Sequence, residues 1–247
     1  KEYGESNNLN WGEVADPIQK NDEVTVRIRS SSINHLDIWV RKGISKHEIN
    51  NLFILGSDAS GEIIDKGSSI QNYNIGDKVV IQPGIFDKKS KFYNTRKSHY
   101  CSSYGIIGET VNGVQSEYFS CPIENIHKMP EHLTFQEASS MPLAFITAYE
   151  MLIERAQLSK NERILIYGAT SGVGAAAIQI ATDIGAKVIT TVGSKSKIDY
   201  ALGLGADYVF NHSDSDCLSK IKTTLNDKGL DVIFEHVGLK TWEMSMR

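Results

Sequence analysis

One stretch of sequence decides the fold: Arg163-Ile-Leu-Ile-Tyr-Gly-Ala-Thr-Ser-Gly-Val-Gly-Ala-Ala-Ala-Ile-Gln-Ile-Ala181. It begins with an apolar strand, turns at Gly168-Ala-Thr-Ser-Gly-Val-Gly174 and continues into a helix of small residues. Glycine lets the backbone turn sharply and approach a pyrophosphate, whose charge the amide groups at the helix start then stabilise. Glycines alone also occur in ordinary tight turns, but strand, turn, small-faced helix and next strand in this order predict dinucleotide binding.

The alternation of strand and helix continues to the end of the chain. Such a pattern predicts a parallel sheet joined by right-handed crossovers, hence an α/β fold with a Rossmann doubly wound sheet. A sheet of this kind has two halves, whereas here the second half ends after its first strand, so we expect a chain truncated in its C-terminal half. The predicted strands and helices are, in order, Arg163–Tyr167, Val173–Ile184, Lys187–Thr191, Ser196–Leu204, Tyr208–Phe210, Asp216–Leu225 and Asp231–Phe234.

The first half of the chain has a different pattern. Up to about residue 128, short alternating segments such as Val24–Ile28, Gly61–Gly67 and Gly76–Pro83 are separated by glycine, which predicts a compact β-rich domain. From Thr134 the period becomes helical, and Pro142 is expected either to separate two helices or to open the second. We expect a β-rich catalytic domain over residues 1–130 and a Rossmann domain over residues 131–247.

The composition is typical of a globular protein. The 247 residues are 40% apolar and 23% charged, and the net charge of −4 provides no general attraction to nucleic acid or anionic lipid. Cys101, Cys121 and Cys217 are widely spaced and odd in number, which favours a reducing compartment. Without an apolar run near the ~18 residues of a membrane span, or a secretion signal, we expect a cytoplasmic protein. One basic cluster is interpreted as a solvated loop rather than an anion site: Lys88, Lys89, Lys91, Arg96 and Lys97.

The end of the second Rossmann strand indicates which dinucleotide is bound. NAD-selective sites usually carry an acid about 20 residues beyond the glycines, where it holds the ribose hydroxyls. This sequence has Val192 there, followed by Gly193, Ser194, Lys195 and Lys197. Because hydroxyl and ammonium donors suit a 2′-phosphate, we expect NADPH. The alternative is that the lysines lie at the start of a helix and do not bind the cofactor.

These motifs together resemble the medium-chain dehydrogenase/reductase superfamily, and the likeness covers essentially the whole chain. The superfamily pairs a GroES-like β domain with a Rossmann domain and includes zinc-type alcohol dehydrogenases and zinc-free quinone reductases. The sequence is most similar to the zinc-free NADPH:quinone reductases. The motifs that carry the resemblance are Asn34-His-Leu-Asp-Ile-Trp-Val-Arg-Lys-Gly43, Gly56-Ser-Asp-Ala-Ser-Gly61, Gly76-Asp-Lys-Val79, Ala169-Thr-Ser-Gly-Val-Gly174, Leu204-Gly-Ala-Asp207 and Phe234-Glu-His-Val-Gly238.

The resemblance also shows which zinc ligands are replaced. Zinc members hold the catalytic metal with a cysteine where Asn34 stands, a histidine where Ser57 stands and a cysteine within Pro142-Leu-Ala-Phe-Ile-Thr147. Amide, hydroxyl and apolar groups do not replace those donors. Leu36 stands where a hydroxyl relays the alcohol proton. We expect no metal, and an unmetallated, mobile loop over residues 86–103. There the four structural-zinc cysteines correspond to Asp87, Ser90, Tyr93 and Cys101.

By resemblance to zinc-free quinone reductases, the candidate cofactor-binding residues come from both domains. Asn34 and Asp37 border the nicotinamide and ribose, and Thr147 lies near the carboxamide. His35 either contacts a cofactor phosphate or lies on the surface. Asp58, like Asp37, is interpreted as a structural carboxylate rather than half of a catalytic pair. The residues expected at the pyrophosphate and on the adenosine side are Gly172, Val173, Gly174, Gly193, Ser194, Lys197 and His212.

The candidate catalytic residues are Asn34, Tyr104 and His236. Without a metal, hydride transfer needs orientation and hydrogen-bond donors that stabilise negative charge on the acceptor oxygen. The strand end Glu235–Gly238, including His236 and Val237, should face the cofactor, because ligands collect at the carboxyl ends of parallel strands. His236 either donates to substrate or ribose or is satisfied by backbone. Tyr104 either lines the substrate cleft or is a core aromatic.

Several functions stay open at this point. We expect an NADPH-dependent oxidoreductase that transfers hydride without a metal to a quinone or another activated enone or carbonyl. The alternatives are an enoyl- or acryloyl-CoA reductase, a zinc-type alcohol dehydrogenase-like protein and a non-catalytic NADPH-binding protein. The expected partner is a small electrophile, with no nucleic acid or membrane. The resemblance implies a homodimer or homotetramer for the full-length protein.

Overall fold

The computed structural model describes residues 3–44, 52–93, 95, 97–226 and 228–246. The chain divides into two compact units, Lys1–Leu143 and Ala144–Arg247. This division lies later in the chain than the expected boundary between residues 130 and 131. The reason is that the helix Phe135–Ser139 packs against strands of the first unit.

The first unit is built around an antiparallel sheet. Its described strands are β1 (Glu23–Ser31), β2 (Ala59–Lys66), β3 (Lys78–Ile81), β4 (Gly84–Ile85), β5 (Gly105–Ile106), β6 (Tyr118–Pro122) and β7 (Ile126–Lys128), with helices α1 (His35–Arg41) and α2 (Phe135–Ser139). Among these, five strands pair in the order β6-β1-β2-β3-β7, and β4 pairs with β5. The three strands predicted from alternation overlap β1, β2 and β3, so the β-rich domain is confirmed.

One face of this sheet forms the core of the unit. Val24 and Val26 of β1 are fully buried, and Val26 lies opposite the fully buried Ile63 of β2. Val79 and Ile81 of β3 are also fully buried. The spacing of two residues places each pair on the same face, as expected of a strand with one side toward a core. Burial of these side chains is the main source of the unit's stability.

The 86–103 segment is attached to the first unit by charged contacts. The Lys88 ammonium lies 2.7 Å from Asp22 Oδ2 and 2.9 Å from Glu124 Oε1. The Tyr93 hydroxyl donates to Glu124 Oε1 at 3.0 Å. The hydrogen bond between Lys88 and Asp22 raises the pKa of the lysine and lowers that of the aspartate. Of these four residues, Tyr93 is at one of the positions that the resemblance aligns with structural-zinc ligands, and the mobility of the segment stays a prediction.

Cys101, at the last of the four zinc-ligand positions, is also hydrogen-bonded. Its Sγ lies 3.1 Å from the hydroxyl oxygen of Ser103. Hydrogen bonds from Ser103 and Ser90, and from the backbone of Asp87, lower the pKa of the Cys101 thiol to about 7. Hydrogen bonds therefore join Cys101 to Ser90 and Asp87, two of the other three positions that the resemblance aligns with structural-zinc ligands.

The basic cluster predicted as a solvated loop is partly engaged by neighbouring residues. Lys88 is paired with two carboxylates, as described above, and the Lys91 ammonium lies 5.1 Å from the centre of the Phe92 ring. Arg96 lies outside the described residues. The described lysines of the cluster thus include one in an ion-pair network and one over an aromatic ring.

Beyond α2 the chain alternates between helices and strands, as predicted. The described elements are α3 (Pro142–Tyr149), a π-helical segment (Glu150–Arg155), β8 (Arg163–Ile166), α4 (Gly172–Ile184), β9 (Lys187–Val192), α5 (Ile198–Gly203), β10 (Tyr208–Asn211), α6 (Cys217–Leu225), β11 (Val232–Phe234) and α7 (Leu239–Ser245). These four strands form a parallel sheet in the order β10-β9-β8-β11. Pro142 opens the second helix, where its missing N–H has no intrahelical acceptor to lose.

Helices cover both faces of the parallel sheet. On one face, Ala177 and Ala181 of α4 pack in a buried cluster with Ile164 of β8. On the other face, Leu165 of β8 belongs to a cluster with Ile221 of α6. Because the alanines are small, α4 approaches the sheet closely and brings its first turn to the carboxyl end of β8. No helix in the described part of the chain is both long enough and apolar enough to cross a membrane.

Candidate active site

The glycine-rich turn leads from the carboxyl end of β8 into α4. Ser171 is the N-cap residue of this helix: its hydroxyl oxygen accepts the Gly174 N–H at 2.9 Å and lies 2.9 Å from the Gly168 carbonyl oxygen, to which it donates. The N–H groups of Gly172 and Val173 belong to the first helical turn and have no acceptor within the helix. With the positive end of the helix dipole, they form a site for an anion such as a pyrophosphate.

The shape of the turn fits a dinucleotide. A Cβ atom added to Gly174 would lie 2.3 Å from the Gly168 carbonyl oxygen and 2.8 Å from Ser171 Oγ, so the backbone is closed tightly beneath the helix. A Cβ added to Gly172 would meet only the Ala144 side chain within the second unit, at 3.6 Å. The helix start is therefore open to a ligand while its base is held closed, which is the arrangement that backbone binding of phosphate requires.

The ends of β9 and β10 bring together the residues predicted on the adenosine side. Val192 is buried at the end of β9 and accepts the backbone N–H of His212 at 3.0 Å. The His212 ring lies beside Gly193, because a Cβ on that glycine would be 3.4 Å from Nε2. Ser194 and the exposed Lys197 follow in the next turn. Hydroxyl, imidazole and ammonium groups thus surround a strand end that carries no acid.

The end of β11 reaches the glycine-rich turn from the other side of β8. His236 Nε2 lies 3.0 Å from Ser171 Oγ. Because the Ser171 hydroxyl donates its one hydrogen bond to the Gly168 carbonyl, Nε2 of the neutral imidazole carries the N–H and donates a hydrogen bond to the serine oxygen. His236 Nδ1 is buried without a partner among the described residues, and burial lowers the pKa of His236. The contact is to a side-chain hydroxyl rather than to backbone, and Val237 beyond it is exposed.

In the first unit, Asn34 is held between two buried carboxylates at the start of α1. Its backbone N–H donates to Asp37 Oδ2 at 2.7 Å, and its side-chain Nδ2 donates to Asp58 Oδ2 at 2.9 Å. The other oxygen of Asp37 accepts the Gly56 N–H at 2.9 Å. These bonds join the start of α1 to the segment before β2 and leave Asn34 itself half-buried.

Asp58 is fully buried and is surrounded by donors. Its Oδ1 accepts the Leu143 N–H at 2.9 Å, and the Ser32 hydroxyl lies 3.4 Å from Oδ2. Burial outweighs these hydrogen bonds and, with a smaller contribution from the charge of Asp37, raises the pKa of Asp58 to about 6. Burial also raises the pKa of Asp37. Ionising this pair in the folded protein is therefore costly.

Replacing Asp58 with asparagine is expected to change the pH dependence of stability. Because the folded carboxyl has a pKa of about 6 against 3.8 in an unperturbed aspartate, the folded state binds the proton more tightly. As pH rises from about 4 to about 6, the contribution of Asp58 to the free energy of unfolding therefore falls by up to about 3 kcal/mol. Above about pH 6 this contribution no longer changes with pH. Urea unfolding of wild type and Asp58→Asn across this range measures the difference, and parallel curves would contradict it.

The remaining predicted residues differ in exposure. His35 is exposed, with its ring edge-on to Trp39 at 5.4 Å between centroids. Tyr104 is 36% exposed, and its hydroxyl is near Gly84, since a Cβ on that glycine would lie 3.0 Å from it. Thr147 is half-buried on α3. Within the first unit the structure brings Asn34, Asp37 and Asp58 together, and within the second it gathers the turn, the two strand ends and His236.

Comparison with known proteins decides the family. Residues 20–131 match the model of the alcohol dehydrogenase GroES-like domain, and residues 172–247 match that of the zinc-binding dehydrogenase. A solved NAD-dependent alcohol dehydrogenase is 34% identical with a TM-score of 0.95, over 98% of this chain and 71% of that chain. The chain belongs to the medium-chain dehydrogenase/reductase superfamily. The predicted pairing of a GroES-like with a Rossmann domain is thereby confirmed.

Within the medium-chain dehydrogenase/reductase superfamily, the chain is similar to quinone oxidoreductases. The quinone oxidoreductase of Pongo abelii is 30% identical over 223 residues, covering 90% of this chain and 60% of that protein. The Escherichia coli quinone oxidoreductase, solved in complex with NADPH, is 25% identical with a TM-score of 0.81, over 99% of this chain and 67% of that one. The chain spans about 60% of the length of the curated relatives it matches.

Zinc-type members of the superfamily bind a catalytic zinc ion, but the side chains at the corresponding positions of this chain are not zinc ligands. At the positions of two catalytic-zinc ligands stand Asn34, whose amide nitrogen faces Asp58, and Ser57, whose buried hydroxyl has no partner among the residues described. Neither amide nor hydroxyl replaces the thiolate and imidazole that bind zinc. Over the described ranges, no group of three or more His, Cys, Asp or Glu side chains is arranged to hold a metal ion.

Ser171 is the residue of this site that sequence reasoning missed. It contacts the turn at Gly168 and Gly174 and also meets His236. The local part of this role has a sequence signal, because a serine directly before a helix is a preferred N-cap residue. Its contact with His236 has none, since nothing in the local pattern indicates which residue 65 positions away lies beside it.

Proposed function

We propose that this chain is part of an NADPH-dependent oxidoreductase that transfers hydride, without a catalytic metal, to a quinone or another activated enone or carbonyl. The observation that carries the proposal is the turn capped by Ser171, which leaves the amides of Gly172 and Val173 free for a pyrophosphate at an open helix start. The bound nicotinamide supplies the hydride. The protein must hold that ring and stabilise the charge that develops on the acceptor.

We assign the binding of the cofactor to the following residues. The amides of Gly172 and Val173 hold the pyrophosphate, with Gly174 closing the turn beneath it. Asn34 and Asp37 bind on the nicotinamide ribose side. The other residues proposed to bind the cofactor are His35, Thr147, Gly193, Ser194, Lys197, His212 and Val237.

The preference for NADPH rests on the end of β9. Val192 is apolar and buried, so no carboxylate is present there to hold a ribose 2′-hydroxyl or to repel a 2′-phosphate. Ser194, Lys197 and His212 supply donors around the exposed Gly193. The quinone oxidoreductase solved with NADPH supports this choice, whereas the similar alcohol dehydrogenase is NAD-dependent, so the cofactor must be measured.

The acceptor class follows from the groups available to the reaction. The donor set offers no zinc ligands at the catalytic-zinc positions, so an alcohol would lack the metal that ionises it in zinc members. Quinones and enones accept hydride with no more than hydrogen bonds to the oxygen that becomes negative. We propose Asn34, Tyr104 and His236 as the residues that provide such bonds or orient the reacting groups.

The function is tested by NADPH oxidation with the full-length protein against quinones, enones, enoyl-CoAs and saturated ketones. We expect turnover with quinones or enones, and a kcat/KM at least about tenfold higher with NADPH than with NADH. A preference for NADH would contradict the cofactor assignment. A preference for enoyl-CoAs would select the thioester reductase, and zinc at unit stoichiometry would contradict the metal-free reaction. Binding without turnover would select the non-catalytic alternative.

A matched pair of lysine variants refines the cofactor test. Lys197→Ala is expected to weaken NADPH binding about tenfold while leaving NADH binding unchanged, because only NADPH carries the 2′-phosphate. Lys222→Ala removes an exposed lysine on α6, where no 2′-phosphate is proposed, and is expected to change neither. Equal effects of the two variants on NADPH would show that general charge, rather than a contact from Lys197, attracts the cofactor.

A further inference from the structure

The hydrogen bonds of Asp58 join three parts of the first unit. Its carboxylate accepts hydrogen bonds from the side-chain NH₂ group of Asn34 at 2.9 Å and from the backbone N–H of Leu143 at 2.9 Å. The Ser32 hydroxyl donates a longer hydrogen bond, at 3.4 Å. The side chain has no solvent exposure, whereas Asn34 is half-buried. Asp58 therefore reaches no solvent directly, and of its three donors Asn34 is the one that we propose to touch a ligand.

The chemistry of the two side chains fixes which way the amide of Asn34 is turned. An ionised carboxylate accepts hydrogen bonds but has none to donate, whereas an amide has a donating NH₂ group on one side and an accepting oxygen on the other. The group of Asn34 that faces Asp58 must then be the NH₂ group. Reversing the amide would place its oxygen against a buried carboxylate oxygen, leaving two acceptors without a proton between them.

We propose that Asp58 is a positioning residue that fixes the orientation of the Asn34 amide, so that its oxygen and its second N–H are presented to the ligand in one arrangement. This inference rests on the proposed function, in which Asn34 touches cofactor or acceptor. Asp37 does not share this role, because it binds the backbone N–H of Asn34 rather than the side chain. Asp37 holds the start of α1 in place, and Asp58 selects between the two orientations of the amide.

Asp58→Asn is the variant that reverses the amide. An asparagine at position 58 has one accepting oxygen, which the Leu143 N–H requires, so its NH₂ group is left facing Asn34. The two amides can then pair only when Asn34 turns its oxygen toward position 58. The substitution changes little in volume, so the expected effect is a reversal of donor and acceptor at residue 34 within an otherwise similar fold.

The test combines a double-mutant cycle with a direct view of the amide, using Asp58→Asn, Asn34→Ala and the double variant of the full-length protein. Asp58→Asn is expected to shift the Asn34 side-chain NH₂ signal in spectra of selectively ¹⁵N-asparagine-labelled protein, where Asn34→Ala identifies that signal. It is also expected to lower kcat/KM about tenfold or more. In the Asn34→Ala background the same change should alter kcat/KM less than about twofold. Ser32→Ala, which removes only the long contact, is the control expected to leave both readouts unchanged.

Three results would overturn the proposal: an unmoved Asn34 signal in Asp58→Asn, equal losses of kcat/KM in both backgrounds, or an Asp58→Asn protein that does not fold. The last would make Asp58 a structural residue that acts through Leu143. The NH₂ signal is read without substrate, so it reports whether Asp58 acts on the Asn34 amide even when the wild type reduces none of the acceptors. In that case the proposed function fails by itself, and the orientation of Asn34 is still determined.

Discussion

Gly174→Ala is expected to weaken NADPH binding by at least about 100-fold and to lower the free energy of unfolding by about 2–4 kcal/mol. The added Cβ would lie 2.3 Å from the Gly168 carbonyl oxygen and 2.8 Å from Ser171 Oγ. The carbonyl belongs to backbone and cannot move aside by changing rotamer. Relief requires the turn to open, which breaks the Ser171 cap and displaces the amides proposed to bind the pyrophosphate. Titration by NADPH fluorescence and urea unfolding without cofactor measure the two effects.

The control for this variant is Gly203→Ala, at the end of α5. A Cβ there would meet nothing within 4 Å, so the substitution adds the same methyl group to a helical glycine without a clash. We expect unchanged NADPH affinity and a change in stability within about 1 kcal/mol, since alanine is the better helix former. Normal cofactor binding by Gly174→Ala would mean that the turn is not the pyrophosphate site.

Gly113→Ala is expected to destabilise the first unit by at least about 3 kcal/mol. Its Cβ would lie 2.3 Å from the Gly56 carbonyl oxygen and 2.4 Å from that of Leu55. The Gly113 N–H donates to the Ile54 carbonyl at 2.7 Å, so the two backbone segments are paired at this point. Relief would separate them and displace the segment that leads to Asp58. Urea unfolding followed by the fluorescence of Trp39 on α1 measures the loss.

The matched control in the same unit is Gly12→Ala. A Cβ at Gly12 would meet nothing within 4 Å, and this residue is exposed in the segment before β1. Its free energy of unfolding should stay within about 0.5 kcal/mol of wild type. An equal effect of the two substitutions would show that the lower conformational entropy of an unfolded chain with one glycine fewer, rather than the backbone contact at Gly113, determines the change in stability.

The elements of both units were predictable because their signals are local. Alternation at period two marked β1 and β3, and the apolar run followed by glycines marked β8 and the start of α4. The opening of α3 at Pro142 follows from the ring, which removes an N–H that the first helical turn does not use. The π-helical segment Glu150–Arg155 was not predicted, since six residues with i→i+5 hydrogen bonds are too few to show a sequence period of their own.

The contacts that organise the candidate site were less predictable because they join distant positions. Asn34 and Asp58 are 24 residues apart, and Ser171 and His236 are 65 apart. Sequence pattern indicates which face of an element a side chain occupies but not which side chain of another element meets it. The sequence pattern therefore favours a structural carboxylate at Asp58 but does not indicate its partner, Asn34. The division into units after Leu143 depends on the packing of α2 on the sheet, a tertiary contact that local pattern does not indicate, and the domain boundary between residues 130 and 131 stays a prediction.

The way in which the 86–103 segment is attached determines what can release it. A lobe closed by four thiolates around zinc opens when a chelator removes the metal. Here the attachment includes the ion pairs of Lys88 with Asp22 and Glu124, all of which retain some exposure to solvent. Mobile ions screen such pairs over about 8–10 Å at moderate ionic strength. Removal of zinc is therefore expected to leave these ion pairs in place, whereas concentrated salt is expected to weaken them, so salt rather than a chelator should release the segment.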